Sequence, residues 1–230
     1  MDLNVKTIYL VGGIVMTCGA GAALLTWYHH RDAPGLRAWA AALLLSCLGA
    51  LILRFPDAAS SPWIVLAANA VIVAGFAVLW TGARKFNDNS IDARRFLGFV
   101  AAIVVAYIAI CGVAQLVGAG RNAASMPFSL FLGLLSSGAA YEVWQGRHRD
   151  GLTTRLPTAL ALAGLGLARL IRTATLALQS AELLPPGQVA ELHPYTLYAT
   201  IVFVLATTYG LVLMANESAV RRDAELFTGR

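Results

Sequence analysis

Charged residues are scarce in this sequence. Asp, Glu, Lys and Arg make up 13% of the 230 residues, whereas hydrophobic residues make up 58% and the mean hydropathy is +0.69. A soluble domain carries about 25% charged residues. No polar segment is long enough to form a separate soluble domain. This composition excludes an ordinary soluble protein and predicts a polytopic membrane protein.

Motifs of enzymes and metal proteins are also missing. The sequence contains no HExxH, no GxSxG, no paired His at helical spacing and no Cys/His cluster. Cys18, Cys47 and Cys111 lie in apolar runs without CxxC spacing, which favours small buried hydrophobes. The single acid within an apolar run is Glu142, which we expect to pair at the cytoplasmic end with Arg84, Arg147 or Arg149. We therefore expect no catalytic residue, no cofactor and no metal.

Long apolar runs dominate what is present. A transmembrane helix needs about 20 mostly apolar residues. Seven runs qualify, approximately at residues 8–28, 37–54, 63–82, 96–116, 126–145, 156–178 and 196–215. The connections are short except for the one between the sixth and seventh runs. The pattern predicts an all-α fold of seven transmembrane helices.

Basic residues concentrate on one side of these predicted helices. Twelve of the 17 Lys and Arg residues fall after the first, third and fifth runs or in the C-terminal tail, against three on the other side. Because Lys and Arg accumulate in cytoplasmic loops, this predicts an external N-terminus and a cytoplasmic C-terminus. The net charge of +5 is then a topology signal, and we expect no nucleic-acid partner.

Two arginines interrupt the sixth apolar run, in the stretch ALARLIRTATLAL. Arg169 and Arg172 are three residues apart and therefore share a helix face, about 20 Å from the cytoplasmic side. A charge at bilayer depth costs about 2.5–3.5 kcal/mol on insertion scales. No acid lies at matching depth. Other polar residues predicted in the outer half are Arg54, Asn69, Tyr198 and Thr200.

Two interpretations of Arg169 and Arg172 remain open. In the first, they bond backbone carbonyls, acids of the outer loop or lipid phosphates, or snorkel outwards. In the second, they form an outward-facing pocket with the other four polar residues, for a small anionic or lipid-like ligand. Small residues of the sixth run, such as Ala159 and Gly166, favour an interior position for that helix.

The C-terminal segment predicts a helix that leaves the membrane. Glu217 and Arg221 are four residues apart, a favourable helical pair, and a short apolar stripe is formed by Val220, Ala224 and Phe227. We therefore divide the chain into a transmembrane sensory domain, residues 1–215, and a cytoplasmic exit helix, residues 216–230. The exit helix is placed to pass a displacement to a partner, although a basic anchor on anionic lipid is the open alternative.

Three stretches carry a family resemblance. The first contains Trp27, Arg31, Gly35, Leu36 and Trp39; the second contains Ile64, Val65, Ala68, Asn69, Gly75, Trp80, Gly82, Arg84 and Phe86. Together with an arginine in the sixth run and the ending YGLVLMANESAVRRDAEL, they resemble the multi-span input region that precedes GGDEF diguanylate cyclase domains in many proteobacteria. The resemblance implies a sensory membrane domain. It implies no cyclase activity for these residues, which contain no GGDEF segment.

From the residues and the resemblance together, we predict a signal-input module of the bacterial inner membrane. It senses an external or lipid-borne ligand and relays the signal through its last helix. The expected partners are membrane lipids, a small anionic or lipid-like ligand, a cytoplasmic GGDEF-type output domain or partner, and a second copy of the chain. The alternatives are a small transporter, a membrane-embedded enzyme and a structural membrane-assembly partner, although no clear internal repeat supports a transporter.

Overall fold

A computed structural model describes residues 5–29, 35–55, 61–87, 92–117 and 121–228. These residues form α-helices, and no strand occurs among them. The seven helices are α1 Val5–His29, α2 Leu36–Ile52, α3 Pro62–Asn87, α4 Ala93–Leu116, α5 Arg121–Asp150, α6 Arg155–Ser180 and α7 Pro186–Thr228. The all-α class predicted from the sequence is therefore confirmed, and each apolar run corresponds to one helix.

Length and composition distinguish the helices as candidates for crossing a membrane. Within the described ranges, α1, α3, α4, α6 and α7 are long and apolar enough. The apolar helix α2 has only 17 residues. The helix α5 has 30 residues, but serines in its middle and polar residues at both ends lower its hydropathy. Five candidate spans are thus supported by length and composition, against the seven predicted.

The long connection expected between the sixth and seventh apolar runs is wrong. Only residues 181–185 separate α6 from α7, because α7 begins at Pro186. Proline suits the first turn of a helix, where its missing N–H has no helical acceptor. α7 then continues for 43 residues, through the predicted exit segment up to Thr228. At 1.5 Å per residue its length is about 65 Å, roughly twice the hydrocarbon core of a bilayer.

Six of the helices form a closed ring. α1 packs against α2 and α7, α2 against α3, α3 against α5, α5 against α6, and α6 against α7. α4 lies outside this ring and packs against α3 and α5. Its surface is largely exposed and apolar, for example at Leu97, Val105 and Val113. By contrast, α3 is the most buried of the five candidate spans.

Close approach between α5 and α6 depends on small residues. A Cβ added at Gly166 would lie 2.5 Å from the Ser137 Oγ and 3.1 Å from the Gly133 carbonyl oxygen. Ala159 and Ala161 of α6 are buried, whereas Ala163 is exposed. The interior position expected for α6 therefore holds for only part of its surface, because large apolar residues such as Leu160 and Leu167 are exposed.

One end of the bundle gathers the end of α3, the end of α5, the start of α6 and the last third of α7. Contacts of Arg155 with Phe86 and Asp150, and of Thr154 with Glu217, define it. We call it the basic end, because its helix ends adjoin the arginine-rich segments of the sequence. It is the end that the sequence predicts to be cytoplasmic.

Candidate functional site

The two arginines that interrupt the sixth apolar run lie on α6, one turn apart and half-buried. Their backbone carbonyls accept hydrogen bonds from hydroxyls further along the helix. Thr173 Oγ1 donates to the Arg169 oxygen at 3.0 Å, and Thr175 Oγ1 donates to the Arg172 oxygen at 2.9 Å. The shared face predicted from their spacing follows from this helical geometry.

The other four candidate pocket residues lie on two helices and in the segment that follows α2. Arg54 is exposed just beyond α2, and Asn69 on α3 is half-buried and hydrogen bonded to the Tyr107 side chain of α4. On α7, Tyr198 is exposed, while Thr200 is buried and donates to the Thr196 carbonyl. The candidates thus divide between the neighbouring helices α2 and α3 and the neighbouring helices α6 and α7. Whether they bind a common ligand stays a prediction.

Residues that carry the family resemblance pack at the basic end. Leu36 and Trp39 are both 1% exposed, and the Trp39 ring lies 5.2 Å from the Phe86 ring. Gly35 has a φ of 82°, and a Cβ there would lie 2.7 Å from the Gly82 carbonyl oxygen. Only glycine combines this left-handed conformation with so close an approach. These motif residues therefore join the start of α2 to the end of α3.

Arg155 connects this joint to α5 and α6. It is the first residue of α6 and is 2% exposed. Its Nε donates to Asp150 Oδ1 at 2.8 Å, and its Nη1 donates to Asn87 Oδ1 at 2.7 Å. The guanidinium also lies 5.1 Å from the centre of the Phe86 ring. A buried arginine with an ion pair, neutral acceptors and an aromatic face satisfies the demand that buried charges be paired.

Neighbouring polar contacts extend the Arg155 cluster across α3 and α5. Asn87 Nδ2 donates to the Glu142 backbone oxygen at 2.6 Å. The Glu142 side chain pairs with Arg84 Nε at 3.3 Å, so the predicted pairing of Glu142 is confirmed for Arg84. A Cβ at Gly146 would collide with Arg155 Nη1 and Asn87 Oδ1. Glycine at position 146 therefore makes room for the buried guanidinium.

Glu217 of α7 reaches the start of α6. Its Oε1 accepts hydrogen bonds from the N–H and hydroxyl of Thr153, at 2.9 and 3.1 Å. Its Oε2 accepts from the N–H and hydroxyl of Thr154, at 3.0 and 2.6 Å. Thr154 precedes α6 without capping it through its own side chain. A carboxylate from another helix thus supplies acceptors at the positive end of the α6 dipole.

Arg221, one turn further along α7, reaches the end of α5. Its Nη1 donates to the Asp150 carbonyl oxygen at 2.7 Å, and its Nη2 donates to the Gly151 carbonyl oxygen at 3.0 Å. Arg221 Nη2 also pairs with Glu217 Oε1 at 3.2 Å, as the spacing of four predicts. We call Glu217, Arg221 and residues 150–154 the α7 latch. Its acid caps α6 and its base caps α5, each at the end that favours that charge.

The environment of Glu217 favours its ionised form. Glu217 lies beyond the predicted span 196–215. Partial burial raises its pKa, but the four hydrogen bonds from Thr153 and Thr154 outweigh burial and lower the pKa to about 2, from an ordinary value of 4.5. The acidic half of the latch therefore carries its charge at neutral pH.

The latch and the Arg155 cluster were missed as sites by the sequence reasoning, which counted Arg155 only as a topology signal. A local signal was present in the stretch DGLTTR, residues 150–155. Gly151 adopts a φ of 61° and ends α5, and two threonines precede α6. The helical pair of Glu217 and Arg221 was predicted, but its contact with this turn was not.

Chemical function follows only in outline from this geometry. Among the described residues, no group of three or more His, Cys, Asp or Glu is placed to hold a metal ion. Comparison with known proteins finds no matching family model, no similar characterised protein and no similar solved structure. The class that the fold supports is an all-α protein with several helices suited to a membrane. The resemblance to GGDEF-associated input regions stays a prediction based on the residues quoted for it.

Proposed function

We propose that the protein is a membrane-embedded signal-input module that relays a signal through α7. In this proposal all seven helices cross the bacterial inner membrane, with the N-terminus outside and the basic end in the cytoplasm. Residues 216–230 then form the output segment, which acts on a cytoplasmic output domain or partner protein.

The α7 latch is the observation that carries the proposal. One pair of side chains on α7, Glu217 with Arg221, binds the turn that joins α5 to α6 through six hydrogen bonds. Any rotation or translation of α7 breaks several of these bonds together, because the acid and the base cap different helices. In this proposal the contacts are made in one position of α7 and lost in the other, which gives the two states that a relay requires.

The length of α7 supports the same role. A helix of about 65 Å exceeds the bilayer core by about 35 Å. It is continuous from Pro186 to Thr228, and its one internal proline in the described residues, Pro194, lies near the start, so a displacement in the part after Pro194 would be passed along the helix. Val220 and Ala224 of the predicted apolar stripe are exposed on it, and the Phe227 side chain lies outside the described residues.

The proposed input is a small anionic or lipid-like ligand near Arg169 and Arg172. These half-buried arginines lie on α6, which packs directly against α7. A ligand bound at these arginines would therefore act on the helix next to α7, which is the helix that moves in this proposal. Ligand binding shifts α7 only if the ligand prefers one of the two positions.

Pulsed electron paramagnetic resonance tests whether input and output are coupled. The native cysteines Cys18, Cys47 and Cys111 are replaced by Ala, and spin labels are attached at Gly98→Cys and Ala224→Cys. Both positions are exposed, and a Cβ at Gly98 meets no atom within 4 Å. The chain is measured in nanodiscs of native lipid extract, so that lipid-borne ligands remain present.

We expect Arg169→Gln/Arg172→Gln to change the distance distribution towards that of the latch-broken variant Glu217→Gln/Arg221→Gln. The matched control is Arg37→Gln/Lys85→Gln, which also removes two positive charges but lies outside the α6–α7 pair. It should keep the parent distribution. If the Arg169/Arg172 variant keeps the parent distribution as well, the proposed relay is wrong.

A further inference from the structure

A cavity of about 30 Å³, partly open to its surroundings, lies between helices of the ring. Five of the six ring helices line it, for example through Met16 of α1, Ser46 of α2, Phe76 of α3, Leu165 of α6 and Thr207 of α7. None of the six candidate pocket residues lines this cavity. Its wall is mainly apolar and carries no charged side chain.

Thr207 is the unusual member of this wall. It is 5% exposed, and its Oγ1 has no hydrogen-bond partner among the described residues. The other two hydroxyls of the wall are bound to their own helices: Ser46 Oγ donates to the Ala42 oxygen at 2.9 Å, and Thr208 Oγ1 donates to the Val204 oxygen at 2.8 Å. Their oxygens keep free acceptor capacity. The cavity thus combines one unsatisfied hydroxyl with two acceptors.

The volume decides which occupant fits. A water molecule needs about 10–15 Å³ by this measure, so the cavity has room for one or two. Sites for larger ligands span roughly 300–1,000 Å³. Cavities that stay dry are lined by apolar groups that need no hydrogen-bond partner, and Thr207 makes this one different.

We propose that the central cavity is a hydration site, in which one or two ordered water molecules bind Thr207 of α7 and bridge it to Ser46 of α2. The water accepts or donates one hydrogen bond with Thr207 and donates another to the hydroxyl oxygen of Ser46 or Thr208. α7 packs directly against α1 and α6, and residues of α2 and α3 line the cavity together with α7, so water held there would connect α7 to both helices. This site stands independently of the proposed signalling role.

Hydroxyl-radical labelling by X-ray radiolysis tests the proposal in the intact chain. Radicals form from water, so a buried side chain is oxidised only when ordered water lies beside it. The reporter is Phe76, which is 6% exposed and lines the cavity; the buried reference is Met214, which is 0% exposed and does not line it. The variants are Thr207→Val and Thr207→Ser, with Thr81→Val as a matched control. Thr81 is also buried, but its hydroxyl donates to the Ala77 oxygen of its own helix.

We expect oxidation of Phe76 in the parent chain, in Thr207→Ser and in Thr81→Val, and at least a fivefold lower rate in Thr207→Val. Met214 should remain unlabelled throughout. Thr207→Val should also lower the thermal midpoint of unfolding, because it removes a hydrogen bond to water. If the cavity is dry, Thr207→Val should instead raise the thermal midpoint, since valine would replace a buried hydroxyl that has no hydrogen-bond partner.

An unlabelled Phe76 in the parent chain, or an equal rate in Thr207→Val, would overturn the hydration site. If Thr207→Val fails to fold, the parent chain and Thr207→Ser still decide between a wet and a dry cavity.

Discussion

Glu217 is partly exposed, yet its carboxylate accepts as many hydrogen bonds as a buried carboxylate would need. Two backbone N–H groups and two hydroxyls donate to its carboxylate, which is why its pKa falls to about 2. A group whose pKa is lower in the folded state contributes stability above its ordinary pKa and loses that contribution as the pH falls. For Glu217 the window runs from about pH 4.5 down to about 2.

The α7 latch should therefore open on acidification. With spin labels at Gly98→Cys and Ala224→Cys, we expect an unchanged distance distribution between pH 7 and about pH 5, and broadening as the pH falls further. Asp150, which pairs with Arg155, is the neighbouring acid. The Glu217→Gln variant retains Asp150 and lacks the titrating group, so its distribution should change little over the same range. The same acid transition in Glu217→Gln would assign the effect to another group.

Arg155 shows that counting basic residues on each side of the membrane does not reveal what an individual arginine contacts. The sequence counts Arg155 only among the basic residues that indicate topology, yet it is 2% exposed and bonded to α3 and α5. The partner Asn87 is 68 residues away in sequence. No local sequence pattern links two residues at that separation, so the contact becomes visible only when the packing of the helices is known.

At the scale of helices, small residues decide which pairs approach closely. The α5–α6 pair meets where Gly166 faces Ser137 and Gly133. By contrast, a Cβ at Gly112 of α4 meets no atom within 4 Å. Gly166 therefore permits a close helix contact and Gly112 does not, although both lie in apolar stretches of sequence.

This contrast gives a matched pair of variants. We expect Gly166→Ala to lower the free energy of unfolding by about 1–3 kcal/mol, because the added methyl overpacks a close crossing. Gly112→Ala should be neutral or stabilising by up to about 1 kcal/mol, since alanine favours the helix and meets no neighbour. Reversible unfolding in mixed detergent micelles measures both. A loss of equal size in the two variants would contradict the packing assignment.

At the scale of the whole molecule, α2 and α5 differ from the five candidate spans, since α2 is shorter and α5 is more polar. The closed ring includes both helices, and α3 packs between them. If α2 and α5 lay outside the bilayer, the two sides of α3 that now pack against them would lose these contacts. We therefore expect all seven helices to cross.

Single-cysteine accessibility in intact cells tests this topology. Cysteines are placed on the two sides of α2, at His30 and Ser60, and on the two sides of α5, at Ala119 and His148, in a chain without native cysteines. We expect a membrane-impermeant maleimide to label the Ser60 and Ala119 positions from outside. The His30 and His148 positions should react only after permeabilisation. Equal accessibility of the two members of either pair would show that the helix between them does not cross.

The sequence by itself determined the helical class, the number of helices and, to within a few residues, where six of them lie. Apolar runs of this length need helical backbone hydrogen bonds in a bilayer, so hydropathy alone reports them. It also predicted the pairing of Glu217 with Arg221 from helical spacing, and it named Arg84 as one of three possible partners of Glu142.

Only the tertiary structure decided which helices are neighbours, and with that the α7 latch, the buried Arg155 and the central cavity. Thr154 and Glu217 are 63 residues apart, and their contact exists because α7 closes the ring beside α6. The early start of α7 likewise overrode a Pro-containing stretch that local pattern assigned to a loop. Helix formation depends on short-range hydrogen bonds, whereas helix pairing depends on the fit of side chains brought together over the whole chain, and hydropathy carries no record of that fit.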